Sequence, residues 1–483
     1  MARVYLAVTT LFLGSFLGIG ATPLDDYVNA FDPHYSYRFL NSTEFPNFSL
    51  HTLNMTSQKW LTENTTTRPI WWHYVTVVVP KDLVYTDTAL VWIDEGSNDD
   101  RPPTETDLFL AVTTALGVST GAIAAIIKQI PNQPMAFSND PTHTQKYGDR
   151  MEAWTMNMFL QNSSNPEILL RFPCTKAVVR GFDTIVSYAK KTAGVDIQKF
   201  LVSGASKGGW TVWTTAAVDK RVIGMAPVVN DMLNVHKNLH HHFRSLGGWS
   251  FALGDFQSVN ITGQLDSPNM QKLLSVTDPF AYKDRLTMPK LIVCASGDEF
   301  FLLDDSHYYL DQLPGLTYLR MIPNANHADI GHVMSTVLTI KGFILNILEK
   351  APFPKVKWSL SQNETAGKIV MWTSEEPQEV TVYHARTLSG NRRDFRMFIL
   401  NTVTGKRVLN PVLWHSRAAN RLSPTQYDTE LLKPSEGWAA FFIQVKMKGV
   451  KGSFLEFTTE VNIVPDVLPF ADCSGDACYG TLV

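Results

Sequence analysis

Gly204-Ala205-Ser206-Lys207-Gly208 fits G-x-S-x-G, and its setting leaves few folds open. The bare pattern arises by chance in roughly one chain of this length in six, so the setting carries the argument. Residues 200–202 form a short apolar strand and 210–218 have helical character. A serine between them sits on a strained strand-to-helix turn that presents its hydroxyl. Glycines on either side let the chain pass where a Cβ would clash.

The surrounding pattern fits that turn. Strands are expected at 72–79 (ended by Pro80), 89–93, 122–127, 222–229, 291–295 and 318–322. Helices are expected at 107–116, 176–191 and 337–348. Strands alternating with helices imply an α/β fold, a doubly wound and mostly parallel sheet covered on both faces. This unit spans 22–350. The Gly-, Asn- and His-rich stretch 230–288 breaks the rhythm and reads as an insertion over the carboxyl ends of the strands, where clefts lie. Ala351-Pro352-Phe353-Pro354 marks a boundary. Beyond it, β-rich segments at 368–372, 379–385, 395–400, 439–446 and 454–462 predict a C-terminal β-sandwich-like domain over 355–465.

Lys and Arg number 42 against 45 Asp and Glu, a formal charge of −3, which excludes a strongly basic nucleic-acid binder. Arg3, an apolar run over 4–17 and the small residues Gly18, Gly20 and Ala21 predict a cleaved signal peptide over 1–21. The run is short of the roughly 20 residues a spanning helix needs, so no stable membrane insertion is expected. Sequons at Asn41, Asn47, Asn54, Asn64, Asn162, Asn260 and Asn363 agree with a glycosylated chain that is secreted or held in the endolysosomal lumen. The polar residues following the signal read as an extended leader. Cys473 and Cys478 predict a local disulfide in the 466–483 tail. Cys174 and Cys294 either pair or stay as buried thiols.

An activated serine needs a base, and the base an orienting acid. In a sheet of this type they follow in the order Ser, acid, His. Asp298, in the loop after strand 291–295, is the expected acid, with Glu299 second; Asp304 and Asp305 lie too far along. His327, in the loop after strand 318–322, is the expected base, ahead of His332. An oxyanion needs two N–H donors. One is expected from Lys207, the other from Ser97 or Gly96 in the loop after strand 89–93. Asp94 and Glu95 in that loop are at odds with holding an anion; they face away or bind a substrate amine.

His236 and His240 are the one i, i+4 pair in a run that includes His241 and His242, with no carboxylate at matching spacing, so no metal and no cofactor are expected. Trp71, Trp72, Trp92, Trp210 and Trp213 read as core.

Residues 203–210 with Trp213, and the stretches 130–134, 277–280, 297–301 and 323–327, resemble the PhoPQ-activated pathogenicity-related protein family over roughly 25–465. The resemblance implies an α/β-hydrolase-like domain with a β-rich C-terminal domain, and a site at Ser206, Asp298 and His327. The chain departs from the family at Gly208-Gly209, where a basic residue is expected before the second glycine. It departs again at Asp94-Glu95-Gly96, where a double glycine is usual; this bears on the second oxyanion donor. Two functions follow as expectations. One is a secreted serine hydrolase acting on a small-molecule ester or a peptide. The other, implied by a branch of the family resembling a signalling repressor of proliferation, is a protein that binds a cell-surface receptor on a hydrolase scaffold.

Overall fold

The computed structural model describes residues 20–329 and 331–483. The expected signal peptide lies outside the described residues except for its last two.

The chain begins with helix α1 (Pro23–Asn29) and strands β1 (Ser36–Glu44), β2 (Phe48–Lys59), β3 (Ile70–Pro80) and β4 (Tyr85–Ile93). Next come α2 (Leu108–Thr120), β5 (Ala122–Ile127), α3 (Gly148–Gln161), α4 (Arg171–Ala193), β6 (Lys199–Ala205), α5 (Lys207–Val218) and β7 (Val222–Val228). A helical insertion holds α6 (Val235–Leu246), α7 (Gly254–Ser258) and α8 (Pro268–Thr277). Then β8 (Lys290–Ala295), β9 (Thr317–Ile322) and α9 (Val333–Leu348) close the first unit.

Neighbours in the sheet run β1-β2-β3-β5-β4-β6-β7-β8-β9. From β5 onward they are parallel; β1, β2 and β3 pair antiparallel. β5 and β8 are buried at every position, as strands covered on both faces must be. Asp107 caps α2 by accepting from Leu110 N–H, and Gly121 ends it in the left-handed region at φ 79°.

The expected extended leader is corrected. Residues 23–59 form α1 and a hairpin that widens the sheet. Leu50, Leu53 and Met55 of β2 are buried, and the intervening Thr, Ser and Asn fit a pleated strand. Six sequon asparagines are exposed; Asn54, on β2, is half-buried. Among the described residues, no helix is long and apolar enough to cross a membrane.

The C-terminal strands are β10 (Val356–Gln362), β11 (Ala366–Thr373), β12 (Glu379–Arg386), β13 (Phe398–Asn401), β14 (Lys406–Leu409), β15 (His415–Ala418), β16 (Asn420–Ser423), β17 (Gln426–Leu432), β18 (Ala439–Lys448), β19 (Phe454–Thr458) and β20 (Asn462–Val464). β10-β11-β17-β16 form one sheet; β19-β18-β12-β15 continue the main sheet outward from β9. Thr458 pairs with Leu319, its hydroxyl accepts from Met321 N–H at 3.0 Å, and Tyr318 stacks on Phe457 at 4.0 Å. A Cβ on Gly342 of α9 would lie 1.9 Å from Phe454 O, so this helix seats on β19 only through a glycine.

Cys473 and Cys478 are bonded to each other, whereas Cys174 and Cys294 are separate buried thiols. The segment after the disulfide lies on the insertion: Trp249 N–H donates to Thr481 O at 2.8 Å, and Gln257 Nε2 to Gly480 O at 2.9 Å.

Candidate active site

β6 ends and α5 begins at Ser206, whose backbone is held at φ 54°, ψ −118°. The glycines make this turn possible. A Cβ on Gly204 would meet Ile93 O at 2.8 Å, and one on Gly208 the same oxygen at 2.6 Å. Ser206 N–H donates to Val228 O at 2.9 Å, which fixes the turn against β7.

Two loops at the same end of the sheet bring their side chains to the serine. His327, in the loop after β9, places Nε2 2.8 Å from Ser206 Oγ. Its Nδ1 lies 2.9 Å from Asp298 Oδ2, in the loop after β8. Asp298 Oδ1 also accepts from Phe300 N–H at 2.7 Å, so the carboxylate is fixed before it meets the imidazole. Glu299 takes a different part: its Oε2 accepts the backbone N–H of His327 at 3.0 Å. His332 stands at the start of α9 without a side-chain capping bond, and Asp304 pairs with Arg393 and His241.

Burial works against a charged His327, but the Asp298 carboxylate outweighs it and holds the imidazole pKa above its ordinary value. A general base must be neutral. With the pKa raised, kcat/KM is therefore expected to fall as pH drops through a value above that of an ordinary histidine. A profile flat down to the ordinary imidazole pKa would contradict this role for the Asp298 carboxylate.

Behind the pair lies an acidic layer with no spacing signal in the sequence. Burial, reinforced by Asp298, pushes Asp231 up to about 7, and burial raises Asp305 as well. Burial also raises Cys294, beside Asp231, far above an ordinary thiol.

Lys207 follows the serine and stands at the start of α5, whose first-turn amides have no acceptor within the helix. Its side chain crosses the cleft, with Nζ 3.1 Å from Glu95 and 3.2 Å from Asp149. The expectation for Ser97 is corrected: its N–H donates to Asp100 Oδ2 at 2.6 Å, because the carboxylate three residues on captures it. The loop residues that line the cleft are Asp94 and Glu95, and neither is idle: Asp94 pairs with Lys128 at 2.7 Å, Glu95 with Lys207.

Beneath the elbow, Arg171 is fully buried and donates from Nε to Glu152 at 2.9 Å and from a terminal nitrogen to Lys207 O at 3.1 Å. The two partners stand 19 residues apart on different helices, so no local pattern marks them. Arg171→Ala leaves the Glu152 carboxylate buried without its cation. The expected loss is about 3–5 kcal/mol in chemical denaturation at neutral pH; a loss under about 1 kcal/mol would remove the pair from this supporting role.

The histidine run divides by helix face. His241 bonds Asp304 and His242 accepts from Ser250 N–H, both inside. His236 and His240 face outward, and each places Nε2 near Asp266 Oδ1, at 3.1 and 3.0 Å. The tertiary fold thus supplies a carboxylate that sequence spacing does not. Trp71, Trp92 and Trp213 are core, but Trp210 lines the cleft.

A serine on a strand-to-helix elbow, a histidine and an aspartate from later strand-end loops, and a mostly parallel sheet define an α/β-hydrolase scaffold. Within that class, the chain belongs to the PhoPQ-activated pathogenicity-related protein family, whose model matches residues 24–396. Autocrine proliferation repressor protein A of Dictyostelium discoideum is 37% identical over 488 residues, spanning 97% of each chain. Solved structures similar to this chain include acetyl xylan esterases from a Paenibacillus and a Thermoanaerobacterium species, at 13% and 12% identity and TM-scores of 0.46 and 0.44. The matches cover 68% and 66% of this chain and 92% of each of theirs.

Proposed function

We propose that this protein is a secreted, glycosylated serine hydrolase that cleaves an ester or peptide bond. The observation that carries the reading is the unbroken relay from Ser206 Oγ through His327 to Asp298, at 2.8 and 2.9 Å. Ser206 attacks the acyl carbon while His327 Nε2 takes its proton. The oxyanion forms against the amide of Lys207, with that of Gly96 as the second donor. The tetrahedral intermediate collapses as His327 returns the proton to the leaving group, and a water then repeats the sequence on the acyl-enzyme. Asp298 keeps Nδ1 protonated and stabilises the imidazolium.

Labelling of the purified protein by a fluorophosphonate tests the reading, since such a probe reacts with an activated serine. Labelling at Ser206 is the expected result. Folded protein that takes up no label would overturn it.

A second reading rests on the name of the Dictyostelium relative, a proliferation repressor. In it the chain signals by binding a cell-surface receptor, and the cleft is dispensable. Ser206→Ala separates the two: loss of the biological effect favours catalysis, and its retention favours binding.

A further inference from the structure

Two chambers meet at Ser206, and they differ in kind. The larger, about 430 Å³, is lined by His327, Asp94, Glu95 and the side of α9. The smaller, about 130 Å³, lies beneath the helical insertion and is lined by apolar side chains, among them Val235, Leu239, Phe256, Met270 and Leu274. Trp210 and Met156 face them from α5 and α3. Ser206, Lys207, Asp149 and Phe300 line both chambers, so these residues form the partition. The charges on the wall of the smaller chamber are paired: Asp149 with Lys207, Glu152 with Arg171.

The relay decides which part of a substrate enters which chamber. The leaving-group atom must accept the proton that His327 holds. His327 lines the larger chamber and not the smaller one. The leaving group therefore belongs in the larger chamber, and the acyl chain points away from His327 into the smaller one. Such a chamber gives an acetyl group almost nothing to touch and disfavours a charged acyl group, which would lose its water; apart from Ser206, Asn230 and Thr262 are the uncharged polar residues on its wall.

We infer that the chamber under the insertion is an acyl-binding site for a medium-length, unsubstituted hydrocarbon chain, longer than acetyl, because its wall is predominantly apolar. The inference rests on the hydrolase reading and gives it a substrate class. The insertion is then a specificity element, since α6, α7, α8 and the segments joining them supply most of the apolar wall.

The test is a series of p-nitrophenyl esters from acetate through butyrate, hexanoate and octanoate to laurate, with kcat/KM measured on the full chain. Each buried methylene is expected to raise kcat/KM by up to about fourfold, with an overall gain of about thirtyfold or more from acetate to the optimum and a decline at laurate. Val235→Phe and, as a second filling variant, Leu274→Phe should each lower the octanoate-to-acetate ratio by about tenfold or more. A fluorophosphonate with a short alkyl group is run on every variant, so that folding and nucleophile are read independently of chain length. If Ser206 labels but acetate is the best ester, or the ratio does not move in either labelled variant, the chamber inference is wrong and the hydrolase reading stands. If folded wild-type protein does not label, both fall together.

Discussion

Ser206→Ala is expected to lower kcat for a reactive ester by about a million-fold and to abolish fluorophosphonate labelling. The magnitude follows from the division of labour in the site. Removing Oγ removes the atom that forms the acyl-enzyme, so only the amides and the binding chambers remain to assist water. The substitution costs nothing evident in folding, because Ser206 Oγ makes its hydrogen bond to His327, and the turn itself is held by the backbone bond to Val228. Single-turnover kinetics on the variant, with its thermal stability alongside, checks both halves. Retention of more than about a tenth of wild-type activity would place the nucleophile elsewhere.

Asp298→Asn is expected to cost about ten-thousand-fold in kcat with little change in structure. The carboxylate now accepts from Nδ1–H and so leaves the Nε2 lone pair facing Ser206 Oγ. An amide in its place can donate to Nδ1, which drives the ring proton to Nε2 and turns the base into a donor. The same substitution removes the charge that raises the His327 pKa, so residual activity should persist to lower pH than in the wild type. Glu299→Gln is the control, because Glu299 touches His327 only at its backbone N–H. An effect of about tenfold or less is expected there. A larger loss from Glu299→Gln than from Asp298→Asn would exchange the assignments of the two acids.

Much of this site can be read before any coordinates, for a physical reason. The elbow is a contiguous stretch in which strand, glycine turn and helix adjoin, and Asp298 and His327 each follow a buried strand within a few residues. What stayed hidden depends on partners distant in sequence or on local competition. Arg171 and Glu152 meet only through tertiary packing, and Asp266 reaches His236 and His240 from 30 and 26 residues away. The Ser97 amide is taken by Asp100, a local competition that the spacing of the loop does not reveal. The strands of 36–59 carry no clear strand pattern, because their Asn, Ser and Thr are also the residues of loops. Their burial pattern shows instead that three apolar residues suffice to seat β2.

The join between β9 and β19 changes what the proline-rich segment 351–354 means. It resembles a boundary at which one unit ends and an independent one starts, yet the strands on its far side extend the sheet that begins at β1. Arg320 of β9 reaches across to Glu456 at 3.2 Å, and Tyr318 donates to Pro354 O. A gene fragment ending at the prolines would encode a sheet with a bare hydrogen-bonding margin, a surface that invites aggregation. The two portions are therefore not interchangeable cassettes. The C-terminal portion also braces the loops of the relay, with Met397 N–H donating to Gly297 O and Asn324 bonded to the backbone of Trp414, so its removal is expected to disturb the cleft.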